Sequence, residues 1–258
     1  MTVGFAVDVR GVARLTLNRP DKHNALSEQM IIEVTQTAER IAQDRDIRVV
    51  ILDAEGPTFC AGGDLRWMQD QIAAGTKTRR AAAMKLAAML DLLNTLPQPV
   101  IGRVQGNAFG GGVGMACVCD VVVAVDSVKM GLTETRLGLI PATIGPYVMA
   151  RMGEANARQV FMSSRIFDAN EAMHLGIASR VVPADMLDTA VEAEVVPYLS
   201  CAPGAVAAAK AQVRALGMPI NDDVIARSID QLVDRWDGSE AQEGLAAFFA
   251  KQPAPWVR

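Results

Sequence analysis

Ala108-Phe109-Gly110-Gly111-Gly112-Val113-Gly114 sets three consecutive glycines between two apolar segments. Val100 to Val104 upstream reads as a strand leading into a glycine-rich helix, and Asp120 to Val125 downstream reads as a buried strand. Glycine lets backbone N–H groups approach a ligand without a Cβ in the way. A helix opening at these glycines would aim its free N–H groups and positive dipole end at whatever binds there. For the triplet alone, close helix packing or a tight loop is the competing reading.

A second glycine cluster, Phe59-Cys60-Ala61-Gly62-Gly63-Asp64-Leu65, follows the β-branched run Val49-Val50-Ile51-Leu52. Asp64 is placed to cap a helix through Leu65, Trp67 and Met68. A third element, Met130-Gly131-Leu132-Thr133-Glu134-Thr135-Arg136-Leu137-Gly138-Leu139-Ile140-Pro141, puts a carboxylate among apolar residues. Two donors from different loops and one carboxylate suffice for enolate chemistry. The N–H groups hold an oxyanion and the carboxylate moves the proton.

Six segments in order carry a resemblance: Leu17-Asn18-Arg19-Pro20-Asp21-Lys22-His23-Asn24-Ala25-Leu26; Cys60 to Leu65; Gly106 to Gly112; Glu134 to Pro141; Ala172 to Ala178; and Glu243 to Phe248. Over nearly its whole length the chain resembles the crotonase family, the enoyl-CoA hydratase/isomerase superfamily. The resemblance implies an α/β fold of the crotonase type, a ββα superhelix with a C-terminal helical region. It implies a core over residues 1–195 with the acyl-CoA site, and a helical oligomerisation region over 196–258. It also implies homotrimers or homohexamers.

Composition sets outer bounds. Half of the 258 residues are hydrophobic, 21% are charged and 13 are Met, a balance that fits a large core or buried subunit contacts. The net charge of −4 gives no general attraction to nucleic acid, so none is expected as a partner. Asp120 interrupts the longest apolar stretch before it reaches about 18 residues, and no signal peptide is evident. The expectation is a cytoplasmic protein without membrane association. Cys117 and Cys119, with only two His in the chain, make poor zinc spacing. Cys60, Cys117, Cys119 and Cys201 are read as small buried thiols, and no metal site is expected.

Phe5 to Val9 and Val12 to Leu17 alternate like a hairpin, and Ser27 opens a helix reaching about Asp44. Arg48 to Asp53 reads as a strand, and Arg79 to Leu96 as a helix stopped near Pro97. Beyond Pro141 the pattern is helical: Glu154 to Met162, Asp168 to Leu175, Ala184 to Tyr198, Gly204 to Leu216 and Asn221 to Trp236.

By resemblance, Gly63 and Gly111 supply the two N–H groups of an oxyanion hole for a thioester carbonyl, and Glu134 is a catalytic glutamate. The alternative for Glu134 is a surface residue paired with Arg136. The family's other glutamate would fall at Gly114, so this chain departs from the two-glutamate pattern. Gly62, Gly110, Gly114 and Pro141 are expected to contact substrate, with Gly114 leaving room for the acyl group. The loop Asp21 to Leu26 takes the CoA-binding position, with Lys22, Ala25 and Ala61 as contacts. Lys210 and Lys251 are candidates for the CoA phosphates, with a solvated surface position as the alternative for both. His174 is read as a packing residue. Coenzyme A belongs to the substrate, so no separate cofactor is expected.

Three readings follow: hydration of an α,β-unsaturated acyl-CoA, Δ3–Δ2 isomerisation through one glutamate, or a non-catalytic acyl-CoA-binding subunit. Phe109 to Gly114, Leu139 to Tyr147 and Arg165 to Ala169 are similar to the branch containing bacterial methylglutaconyl-CoA hydratases. The favoured expectation is therefore a hydratase of a branched or carboxylated enoyl-CoA.

Overall fold

The computed structural model describes all 258 residues. The chain begins with the antiparallel pair β1 (Val3–Val7) and β2 (Val12–Leu17). Helix α1 (Glu28–Gln43) follows, capped by the Ser27 hydroxyl, which accepts from the Met30 N–H. One stripe of α1, with Met30, Ile31, Val34, Ala38 and Ile41, is buried.

Three strand–strand–helix passes then succeed one another. They are β3 (Val49–Ala54), β4 (Thr58–Cys60), α2 (Leu65–Ala73) and α3 (Thr76–Thr95); β5 (Val100–Val104), β6 (Asn107–Phe109) and α4 (Gly111–Cys117); and β7 (Val121–Val125), β8 (Lys129–Gly131), a 3₁₀ turn (Glu134–Leu137) and α5 (Gly145–Val160). The chain continues through β9 (Ile166–Asp168), α6 (Ala169–His174), β10 (Arg180–Val182) and α7 (Leu187–Leu199). It closes with α8 (Pro203–Leu216), α9 (Asp222–Trp236) and α10 (Ser239–Ala250).

The first strand of each pass joins a six-stranded sheet, ordered β1-β2-β3-β5-β7-β10, and the second joins a four-stranded sheet, ordered β4-β6-β8-β9. Apart from the β1–β2 and β8–β9 pairs, neighbours run parallel. This alternation is the ββα superhelix. β3 is buried at every position, which accounts for its apolar run rather than a two-residue alternation.

Several elements differ from the sequence reading. α5 starts nine residues before Glu154, because Pro146 opens its first turn, and it kinks at Gly153, where φ is +72°. α10 falls in the expected C-terminal helical region, although residue pattern alone marks no helix over Ser239–Ala250. Cys201 and His174 are exposed rather than buried. His174 is the last residue of α6, and Cys201 lies past the Ser200 cap of α7 on the way to α8. Cys60, Cys117 and Cys119 are buried, and burial pushes each thiol up to about 12. No helix is long and apolar enough to cross a membrane.

Candidate active site

β4, β6 and β8 lie side by side and parallel, so their C-terminal ends open at one edge of the small sheet. Gly62-Gly63 follows β4, Gly110-Gly111 follows β6, and Glu134 follows β8. Ligands of parallel sheets gather at such carboxyl ends. Three segments separated by dozens of residues in sequence are thereby brought together.

The two glycine loops touch. Gly62 has φ +92°, and a Cβ there would stand 3.0 Å from Phe109 O and 3.6 Å from Gly111 N. Gly110 has φ +48° and donates its N–H to Gly131 O at 2.9 Å. Gly111 is the first residue of α4, so its N–H has no acceptor within the helix. The Gly63 N–H also has no backbone acceptor, although the neighbouring Asp64 N–H donates to Leu26 O at 3.1 Å. Both N–H groups are thus free for a ligand.

Asp64 fixes the first loop from behind. Its carboxylate accepts from the Arg66 and Trp67 N–H groups at 2.9 and 3.3 Å and pairs with Arg19 at 2.9 Å. Burial alone would raise its pKa, but Arg19 and the two N–H donors hold it below the usual carboxylate range. Asp64 is therefore occupied as a helix cap.

Glu134 sits in the 3₁₀ turn after β8. A Cβ on Gly110 would come within 2.9 Å of Glu134 Oε1, so glycine is needed there to admit the carboxyl. Oε2 is sealed from solvent and has no hydrogen-bond partner in the protein. Desolvation pushes the group up to about 7, against a smaller opposing effect from its own N–H. Glu134 makes no ion pair with Arg136, whose side chain is exposed. The surface-pair alternative for Glu134 fails.

Gly63, Gly111, Glu134 and Pro141 line one cavity of about 120 Å³. The remaining walls are mostly apolar: Trp67 and Met68 from α2, Leu86 from α3, Leu139, Ile140 and Ile144, and Leu232 and Trp236 from α9. Glu134 is the sole charged residue among them. Larger hollows beside α7 and α8 contain none of these groups. The sequence reading missed Leu232 and Trp236, although their four-residue spacing on one helix face was a signal.

Gly114 requires a correction. It does not line the cavity, and it leaves no substrate space. A Cβ there would meet Ile144 Cγ2 at 2.4 Å and Ile144 Cβ at 2.8 Å. Ile144, thirty positions along the chain, fills the volume over the glycine and presents its own side chain to the cavity.

The CoA-loop candidates lie outside the cavity. Lys22 and Ala61 are exposed, whereas Ala25 is buried and its carbonyl accepts from Arg19 at 2.9 Å. Backbone bonds from Ala61 N–H to His23 O and from Leu26 N–H to Gly62 O tie this loop to the first glycine loop. Lys210 is not free for a phosphate: it pairs with Asp120 at 2.7 Å and donates to Gln98 O at 3.1 Å. Lys251 is exposed at the end of α10. No three His, Cys, Asp or Glu side chains cluster as a metal site would require.

Residues 8–258 match the family described as enoyl-CoA hydratase/isomerase. A Mycobacterium bovis protein named "Probable enoyl-CoA hydratase echA8" is 35% identical, the match covering 93% of this chain and 92% of that one. Human mitochondrial methylglutaconyl-CoA hydratase is 30% identical over 95% of this chain and 73% of its own length. The crystal structure of an enoyl-CoA hydratase from Shewanella pealeana superposes with a TM-score of 0.81 at 34% identity, covering 99% of this chain and 96% of that one. With its alternating two-sheet topology and a match over nearly its whole length, the chain belongs to the enoyl-CoA hydratase/isomerase (crotonase) family.

Proposed function

We propose that the protein is an enoyl-CoA hydratase that adds water across the double bond of an α,β-unsaturated acyl-CoA. The observation that carries this reading is the facing of one buried, unpartnered carboxyl by two free N–H groups. The thioester oxygen accepts from Gly63 and Gly111, and the charge it gains as the enolate forms is stabilised there. Losing one such donor typically removes a few kcal/mol of transition-state stabilisation. Glu134 takes a proton from water as oxygen bonds to C3, then gives a proton to C2. A pKa near 7 lets one group do both at neutral pH. Nothing in this arrangement requires a cofactor beyond the CoA of the substrate.

The acyl group is branched and apolar. The relationship to methylglutaconyl-CoA hydratase supports a branch. A substrate carboxylate would find no cation on the cavity wall and would face Glu134, a like charge. The carboxylated alternative is therefore disfavoured. Lys22, exposed and without an ion pair, and Ala61 beside the first glycine loop receive the CoA moiety. α8 supports assembly into a homotrimer or homohexamer: it buries none of its own residues and exposes Val213 and Leu216. Sedimentation that finds a monomer at micromolar concentration would remove that part of the reading.

Ile144 over Gly114 favours isomerisation as a second reading, because Glu134 is then the sole titratable group at the cavity. A panel of enoyl-CoA thioesters in heavy-oxygen water decides between the two. Mass increase in the product means hydration; a shifted double bond without label means isomerisation and overturns the first reading.

A further inference from the structure

Three helices meet at one guanidinium. Arg79, near the start of α3, keeps only 11% of its side chain exposed. Its Nε donates to Gln71 O at 2.7 Å and its Nη2 to Ile72 O at 3.0 Å, both in the last turn of α2. Its Nη1 pairs with Asp237, the C-terminal cap of α9. The Thr76 hydroxyl donates to the same carboxylate at 3.1 Å. The guanidinium carbon stands 5.7 Å from the centroid of the Trp236 ring. A planar fork serves two carbonyls, a carboxylate and an aromatic face together; an ammonium cannot.

The helices joined here carry the cavity walls. α2 brings Trp67 and Met68, and α9 brings Leu232 and Trp236. Gln71 is the one buried residue of α2, and Met68 packs against the small cluster of Leu139, Trp236, Ala241 and Leu245. α2 is pinned at its start by Asp64 and at its end by Arg79. Arg79 therefore bridges the α2 and α9 walls through hydrogen bonds and an ion pair, beside the packing of Met68 on the cluster that holds Trp236.

We propose that Arg79 is a specificity-determining residue, a latch between α2 and α9 that limits the acyl group to short chains. This rests on the reading above, in which the cavity receives the acyl part of an acyl-CoA. The volume of about 120 Å³ sets the scale. An apolar cavity of ~150 Å³ takes one benzene, so this one takes an acyl group of about four to six carbons. A longer chain must part α2 from α9, and parting them breaks the Arg79 contacts. Neither Arg79 nor Asp237 lines the cavity, so they act on the acyl group through the helices they hold.

Binding of saturated thioesters, butanoyl-CoA through dodecanoyl-CoA, separates this from chemistry because the probes have no double bond to hydrate. Calorimetric titration of the wild type should show affinity falling by about tenfold or more from the short to the long end, the scale on which an apolar pocket discriminates. Arg79→Met should bind short chains within about twofold of wild type and flatten the length dependence to about threefold or less. Asp237→Asn, at a half-exposed carboxylate, should shift the profile the same way by a smaller factor and covers the case of an Arg79→Met chain that fails to fold. Folded variants that keep the wild-type profile, or lose affinity equally at every length, would overturn the latch. So would a wild type that binds long chains as tightly as short ones. A wild type that binds no acyl-CoA would refute the acyl-CoA reading itself, a distinct failure.

Discussion

Replacing Glu134 by Gln should remove a loss of stability that sets in as pH rises, while stopping the chemistry, and the two effects have one cause. Burial raises the folded-state pKa from an ordinary 4.5 to about 7. The folded chain therefore holds the proton more tightly than the unfolded chain does. Between these two values the folded state binds more protons, so stability falls as pH rises through that window. At pH 5 the folded carboxyl is neutral and its desolvation matters little. At pH 8 it is ionised within the apolar cavity. Linkage gives a loss of about 2.5 kcal/mol between pH 5 and pH 8, at 1.36 kcal/mol per pKa unit. Part of the residue keeps some exposure, so this figure is a ceiling. Glu134→Gln is isosteric and cannot ionise, so it escapes the loss. Its urea midpoint relative to wild type should rise by up to roughly 0.8 M on going from pH 5 to pH 8, at an m-value of about 3 kcal/mol/M. In the same preparations turnover should fall by several orders of magnitude, with thioester binding retained. A stability advantage of Glu134→Gln that is equal at both pH values would refute the desolvated carboxyl, and with it the source of the raised pKa.

Gly114→Glu should lose about 1–3 kcal/mol of stability, because the new side chain must enter volume held by Ile144, and Ile144→Ala in the same chain should restore most of it. If the double variant is no more stable than Gly114→Glu alone, Ile144 is not what fills the site; if it folds, it should hydrate an unbranched enoyl-CoA faster than Ile144→Ala. Gly244→Ala should lower kcat with KM nearly unchanged, because its Cβ would stand 2.6 Å from the Leu137 carbonyl carbon and push the turn that carries Glu134. A displacement of about 1 Å in that turn can lower turnover by ~10²-fold, and an unaltered kcat would show that α10 does not position the glutamate.

The legible parts of this protein were the local ones. Gly62-Gly63 and Gly110-Gly111 could be read because each strand, glycine turn and helix start lies within about ten residues. The Ser27 and Asp64 caps have the same locality. Gly114 was visible as a departure but misread as open space, because what fills it lies thirty residues away on the approach to α5. Arg79 sits in Thr76-Lys77-Thr78-Arg79-Arg80, which in sequence resembles a solvated helix face. Nothing local marks the one cation of that run whose head turns inward. The α10 contact is hidden for a related reason. Gly138 and Gly244 allow backbone to approach backbone, and two glycines a hundred residues apart carry no pattern.

In the proposed hydration, one carboxyl works where a second is absent. Ile144 closes the space above Gly114, and Glu134 Oε2 has no partner in a site where burial raises its pKa. A second carboxylate close by would hold a shared proton and leave the pair with two separated pKa values. A lone, desolvated carboxyl near 7 is divided between both protonation states at neutral pH, so neither proton transfer is uphill by much. Its position must then be exact to within hydrogen-bond reach of both water and C2, because no partner corrects for a misplacement. The 3₁₀ turn bearing Glu134 is short and buries no residue of its own. Its rigidity comes from outside, from α10 against Gly138 and Leu137 and from the Thr135 hydroxyl paired with Ser164. The same single carboxyl constrains stereochemistry. In the proposed hydration, hydroxyl and proton would both be delivered from the side of the double bond that faces Glu134, so addition on one face is the expected outcome.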